Sequence, residues 1–203
     1  LCLRSGIETR RLYPFDFALT VEHRLTEESI ETRLTVENTG AKPMPYACGA
    51  HPGFRWPFED GGADGYVIRF DAPENADVPA IAPGGFIGTA TKRLPLDKNL
   101  LPLSGALFEN DALCFLNAKS HCLRFEAPDG GAIQLETEDF PHLALWCRPG
   151  AGFLCLEAWT GFSDPVDFTG DLFAKPSMRV LEPGGRAQHA ATYAYLPPAP
   201  ARR

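Results

Sequence analysis

No stretch of the 203-residue chain approaches the about 18 consecutive apolar residues that a membrane-crossing helix needs. Nor does it start with a basic segment followed by an apolar one, the pattern of a secretory leader. A cytoplasmic protein with no membrane partner is therefore expected. The chain also lacks a positive balance of charge: its formal net charge is -7. A partner with a phosphate backbone demands a basic face that displaces counterions, so nucleic acid is excluded as the expected partner. Six cysteines (Cys2, Cys48, Cys114, Cys122, Cys147, Cys155) form no C-x-x-C unit, and reduced, buried thiols are expected. The five histidines, at 23, 51, 121, 142 and 189, show neither H-x-H nor H-E-x-x-H spacing, so no metal site is predicted. Long uninterrupted segments are missing as well. Nineteen glycines and nineteen prolines cut the chain into pieces too short for ordinary helices, which favours strands joined by turns.

What is present fits that reading. Phe17, Leu19, Val21 and Leu25 alternate with polar residues, Thr26-Glu27-Glu28-Ser29 turns, and Ile30, Thr32, Leu34 and Val36 alternate against charged and polar neighbours. Period two means one buried and one wet face. A second hairpin is expected over Leu123–Glu136 about Pro128-Asp129-Gly130-Gly131, whose composition supplies positive φ. Further strands are predicted at Tyr66–Phe70, His142–Cys147, Phe153–Trp159, Met178–Leu181 and Ala190–Leu196, while Glu109–Leu116 reads as strand or helical turn. The number and spacing of these runs point to an all-β protein, a large antiparallel β-sandwich, rather than βαβ units. The Pro-, Gly- and Asp-rich stretch from Ala72 to Leu103 reads as a covering or functional loop. A single domain over 1–196 and a disordered tail over 197–203 are expected. Leu1-Cys2-Leu3-Arg4 reads as the middle or end of a strand.

Two segments carry the chemistry. His51 lies in Gly49-Ala50-His51-Pro52-Gly53-Phe54-Arg55-Trp56-Pro57, where Pro52 biases the histidine backbone to extended geometry and the glycines permit close approach of another group. Phe54 and Trp56 add aromatic faces of the kind that meet the C–H face of a sugar. Glu157 is the single charged residue between Gly150 and Gly161. On a strand it shares a face with Phe153, Cys155 and Trp159, with Leu154, Leu156 and Ala158 opposite. A carboxylate in such company costs several kcal/mol unless it is paired or its pKa rises. From residues alone, either group is structural or functional.

The ordered set Tyr13-Pro14-Phe15, Val36-Glu37-Asn38, Gly49-x-His51-Pro52-x-Phe54, Leu145-Trp146, Leu156-Glu157-x-Trp159-x-Gly161 and Leu181-Glu182-Pro183-Gly184 resembles the aldose 1-epimerase (galactose mutarotase) superfamily, most nearly its LacX-like branch. The resemblance runs from about Leu12 to Tyr195. It implies a galactose mutarotase-like supersandwich and cofactor-free interconversion of the α and β anomers of a free aldose, with a small-molecule sugar as partner. It further implies His51 as general acid, Glu157 as general base, and Phe54, Asp111, Trp146 and Trp159 as sugar-binding positions, Asp111 in Phe108-Glu109-Asn110-Asp111 corresponding to the family's sugar-binding aspartate. The chain departs from the branch in having Ala158 where Pro is usual and Arg55 where Asn is usual. The family's upstream H-G-x-x-R segment has no counterpart, so the sandwich is expected to be N-terminally incomplete. Two alternatives stand beside this expectation: a non-catalytic carbohydrate-binding or regulatory sandwich, and an epimerase of phosphorylated hexoses using Arg55 or Lys92-Arg93.

Overall fold

The computed structural model describes residues 1–59 and 62–198. The period-two runs form an antiparallel sheet of β1 (Cys2–Arg4), β2 (Phe17–Leu25), β3 (Ser29–Asn38), β17 (Arg186–Leu196), β13 (Ala132–Glu138), β12 (Cys122–Glu126), β7 (Val67–Phe70) and β10 (Leu100–Pro102), in that spatial order. A smaller sheet runs β11 (Leu113–Phe115), β14 (His142–Trp146), β15 (Phe153–Trp159), with two short strands, β5 (Gly49–Ala50) and β6 (Gly53–Arg55), sharing the far edge of β15. Two small antiparallel pairs complete the strands: β4 (Met44–Tyr46) with β16 (Arg179–Leu181), and β8 (Asp77–Ala82) with β9 (Phe86–Arg93). Among the described residues, helix is confined to one short α-helix, α1 (Ile7–Leu12), and one 3-10 turn at Gly105–Phe108.

Turn chemistry accounts for the hairpins. Thr26 Oγ1 accepts hydrogen bonds from the Glu28 and Ser29 amides and closes the β2–β3 turn. In the β12–β13 turn Gly130 takes φ 94°, and Asp129 Oδ1 accepts from the Gly131 amide. These are the local devices expected of Asx and Ser/Thr turns.

The two sheets bury their facing sides against each other. Ile68, Phe70, Leu123, Phe125 and Leu135 of the large sheet meet Leu143, Leu145, Leu154, Leu156 and Ala158 of the small one in a continuous core. Strand alternation therefore turns Cys155, Glu157 and Trp159 away from that core. Their face is not left in water. A second cluster of Ile87, Cys114 and Ala144, with Ile81, Ala112, Trp159 and Phe162 packed on it, covers the outer side of the small sheet. The roof comes from the β8–β9 hairpin.

That hairpin corrects the expectation of an irregular loop over 72–103. Gly84 and Gly85 occupy positive φ (90° and 81°) at its turn. Its ladder slips in register between Pro79 and Ile81, and a Cβ at Gly88 would come within 2.5 Å of the Ala80 carbonyl oxygen. Proline, glycine and a bulge erase the alternation by which a strand is recognised. Segment Glu109–Leu116 resolves into the strand β11, and β17 starts at Arg186, ahead of the expected Ala190. Cys2 is exposed, on the edge strand β1, against the expectation of buried thiols. Of the expected tail 197–203, residues 199–203 lie outside the described residues.

Candidate functional site

The site begins with register. β15 pairs Ala158 with Ala50 of β5 and Cys155 with Gly53 of β6, two pairings that belong to one continuous antiparallel register. In that register His51 stands opposite Glu157. Pro52 has no N–H to give the ladder, though its carbonyl still accepts from the Leu156 amide at 3.2 Å. Cross-strand neighbours share a face, so the two side chains meet directly: His51 Nε2 lies 3.2 Å from Glu157 Oε1. On the other flank of β15, Ala144 of β14 stands opposite Glu157 and is small enough to leave the carboxylate its space.

The pair is asymmetric in exposure. The His51 side chain is 54% exposed and that of Glu157 is 1% exposed. Burial pushes the Glu157 carboxyl from its ordinary value near 4.5 up to about 7; the Trp159 indole beside it opposes the rise and the Asp111 charge adds to it. Glu157 Oε2 has no hydrogen-bond partner among the described residues. Apart from Trp56 Nε1, which lies in the core, the other buried side-chain polar atoms among the described residues have partners. His142 Nδ1 accepts from the Asn117 amide, so its Nε2–H donates to Ser177 Oγ, and Ser177 in turn donates to the Thr160 carbonyl. His189 lies between the Tyr46 hydroxyl and the Asp139 carbonyl. A buried carboxylate oxygen left open against this background marks a place built for something other than packing.

That oxygen's neighbourhood is a cavity of about 290 Å³ on the outer face of the small sheet. His51, Glu157, Asp111, Trp146 and Trp159 line it, with Ile81 and Ile87 from the β8–β9 roof. Asp111 takes φ 79°, a left-handed conformation that aspartate tolerates better than most residues, and its Oδ1 accepts from the next amide, Ala112. Trp146 presents its ring edge-on to the His51 imidazole, centroids 5.9 Å apart. Five of the six expected site positions thus line one cavity: His51, Asp111, Trp146, Glu157 and Trp159. Phe54 does not. On β6 it is paired with Leu154, so it points to the opposite face, stacks on Tyr193 (centroids 5.3 Å), and lines a separate groove with Phe58 and Tyr195. Trp56 is likewise a core residue, packed against Phe108 and Phe125.

His142 begins β14 and does not line the cavity. Burial, helped by the Arg179 charge, lowers its pKa to about 4, which keeps the imidazole neutral in its network. Sequence spacing missed the roof residues Ile81, Gly85 and Ile87, and it missed Cys114 and Ser163 on the cavity wall. It also missed that Cys155 joins His51 and Glu157: one ligand-type atom from each lies within 4.8 Å of the others. The expectation of no metal-ligand set rested on near neighbours in sequence, whereas strand pairing assembles this one from distant segments.

Gly49 shows how tightly the frame is drawn. A Cβ there would sit 2.7 Å from Trp159 Cδ1 and 2.8 Å from the Ala158 carbonyl oxygen. Gly49→Ala is therefore expected to cost about 1–3 kcal/mol by overpacking and to move the Trp159 indole. Urea denaturation and the near-ultraviolet circular dichroism of the tryptophans check both effects.

Fold and site together define a class: an antiparallel β-sandwich in which a histidine and a buried glutamate meet in a cavity on the outer face of the smaller sheet. The chain belongs to the aldose 1-epimerase family, which it matches over residues 2–193. Over 187 residues it is 30% identical to the plasmid-encoded protein LacX of Lactococcus lactis subsp. lactis; that stretch is 89% of this chain and 62% of LacX. The chain thus spans less than two thirds of the length of this relative. Among solved structures, it superposes on a galactose mutarotase-like protein from Lactobacillus casei with TM-score 0.87 and 25% identity, covering 96% of this chain and 68% of the other. A galactose mutarotase related enzyme from Lactobacillus acidophilus gives 0.85 and 25%, with 97% and 67% covered.

Proposed function

We propose that this chain carries the acid/base pair of an aldose 1-epimerase, an isomerase that interconverts the α and β anomers of a free aldose. The observation that carries the reading is the His51–Glu157 pair: in contact at 3.2 Å, on a cavity of about 290 Å³, with the carboxyl raised to about 7. The volume falls at the low end of small-molecule sites, about 300–1,000 Å³, and suits a single sugar ring.

The two oxygens that exchange protons in mutarotation, the C1 hydroxyl and the ring oxygen, sit on one carbon. An acid and a base serving both must therefore stand side by side, as a cross-strand pair does. Glu157 takes the proton of the C1 hydroxyl, and His51 Nε2 delivers one to the ring oxygen as the C1–O bond to it breaks. The aldehyde forms, C1–C2 rotates, and reclosure on the other face returns each proton. A carboxyl raised into the range in which imidazoles titrate makes the exchange nearly isoenergetic in both directions. Trp146 and Trp159 offer aromatic faces to the C–H side of the ring, and Asp111 offers an acceptor to a sugar hydroxyl.

Polarimetry of freshly dissolved α-aldose tests the reading. Faster decay to the anomeric equilibrium in the presence of the chain is the expected result. Saturable sugar binding with no acceleration would leave a carbohydrate-binding sandwich in its place.

The cavity walls also bear on the substrate. Two carboxylates and no lysine or arginine line it among the described residues. Arg93 is engaged with Asp77 and Lys92 with the Leu107 carbonyl, and Arg55, though on the same face of the small sheet as His51, is exposed and does not line the cavity. A dianionic phosphate would meet like charge there. Glucose 6-phosphate is accordingly expected to be turned over at least about tenfold less efficiently than glucose, read as kcat/KM by polarimetry or exchange NMR.

A further inference from the structure

The cluster of His51, Cys155 and Glu157 has more capacity than a proton relay uses. Cys155 and Glu157 are alternate residues on β15 and project from one face, and His51 reaches them from the register-matched segment between β5 and β6. Imidazole nitrogen, thiol sulfur and carboxylate oxygen converge within 4.8 Å. Zinc-type ligand bonds of about 2.0–2.3 Å place the ligand atoms of a tetrahedral site within that spread. Glu157 Oε2 is buried and unpartnered, and the Asp111 carboxylate lines the same cavity with no lysine or arginine to offset it. The cavity lining thus combines two carboxylates with a histidine and has no lysine or arginine among the described residues.

We propose that His51, Cys155 and Glu157 form a three-ligand site for a zinc-class divalent cation, with a fourth position open to the cavity. The mixed N, S and O donor set selects a borderline-soft ion over magnesium or calcium, which take oxygen ligands. Binding is balanced simply. The Cys155 thiol proton leaves to solvent, His51 coordinates as neutral imidazole through Nε2, Glu157 coordinates as carboxylate, and a water completes the shell. A cation held this way occupies the acid and the base together, so it blocks anomer exchange; that consequence, unlike the site itself, rests on the catalytic reading above.

Cobalt(II) titration of the purified chain tests the site without reference to activity. The expected result is one equivalent of bound cobalt with a thiolate-to-cobalt charge-transfer band in the near ultraviolet, displaced by zinc. Cys155→Ser is expected to lose the band and Cys114→Ser, on the same cavity wall, to keep it. His51→Ala, a substitution at a half-exposed side chain that folding tolerates, is expected to weaken cobalt binding by about tenfold or more, the scale on which even supporting residues of a metal site act. No band in the wild type, or a band that survives Cys155→Ser or Cys114→Ser alone removes, overturns the proposal. Zinc inhibition of anomer exchange, reversed by a chelator and absent in Cys155→Ser, is the activity counterpart. A chain that binds cobalt as described but does not speed anomer exchange keeps this site and loses the catalytic reading; an active chain without the band does the reverse.

Discussion

Glu157→Gln is expected to slow the anomer exchange of a freshly dissolved aldose by about 10²–10⁴-fold, the span over which positioned acid–base groups act. Glutamine keeps the size and most of the shape of the side chain, and it leaves the cavity walls in place, so sugar affinity is expected to change far less than turnover. Loss of kcat with KM nearly unchanged is the signature of a group that acts on the reacting atoms rather than on ground-state binding. His51→Ala is expected to fall in the same range, because on the proposed mechanism its imidazole protonates the ring oxygen. The double variant is expected to be little worse than either single one. On the proposed mechanism the two groups exchange protons with the same anomeric centre, and residues acting as a unit do not contribute additively. Polarimetry supplies the rates, and isothermal titration with the sugar supplies the affinities. A Glu157→Gln variant within about threefold of wild type would remove the carboxylate from the mechanism.

The pH profile follows from the same pair. On the proposed mechanism the competent state has Glu157 ionised as the base, in contact with His51 at 3.2 Å. Activity is therefore expected to fall on the acid side as Glu157, raised to about 7, becomes fully protonated, read as the pH dependence of the polarimetric rate.

How far this was legible in the sequence depended on what each residue's role rests on. Alternation is a local property, so β2, β3, β12, β13 and β15 could be read from their own residues, and with them the face that Glu157 shares with Cys155 and Trp159. Pairing between distant strands leaves no local trace. Gly49, Pro52 and Gly53 permit the segment around His51 to run in register with β15, yet the same residues disguise β5 and β6 as a loop. For that reason the adjacency of His51 and Glu157 came from the family resemblance and not from pattern. Phe54 shows the opposite failure: its place in an aromatic loop motif pointed to the sugar, while its strand parity turns it onto Tyr193 and the core. The roof over the cavity was hidden by the bulge at Pro79/Ile81 and by the glycines at 84, 85 and 88.

The second large effect lies in stability, and it runs against activity. Glu157 titrates near 4.5 when unfolded and near 7 in the folded chain, because burial disfavours its charged form. Below the unfolded value the carboxyl is protonated in both states and makes no difference. Between the two values the unfolded chain ionises first, so folding is penalised progressively as pH rises, and above about 7 the whole penalty is present. A shift of this size corresponds to about 3 kcal/mol as an upper limit, since relaxation and water entry lessen the cost of burying a charge. Glu157→Gln removes the ionisation altogether. Its gain in stability over wild type is thus expected to be near zero around pH 4.5 and to grow to as much as about 3 kcal/mol at pH 8. Urea denaturation of both proteins across that window measures the difference directly. Equal gains at both ends would mean that the carboxylate is solvated or paired in the folded chain, and the argument for a base tuned by burial would go with it. A pH-dependent gain, with activity lost in the same variant, would show one buried carboxyl both lowering the stability of the sandwich and driving its chemistry, the trade expected where a functional group is held in an environment that packing alone would not choose.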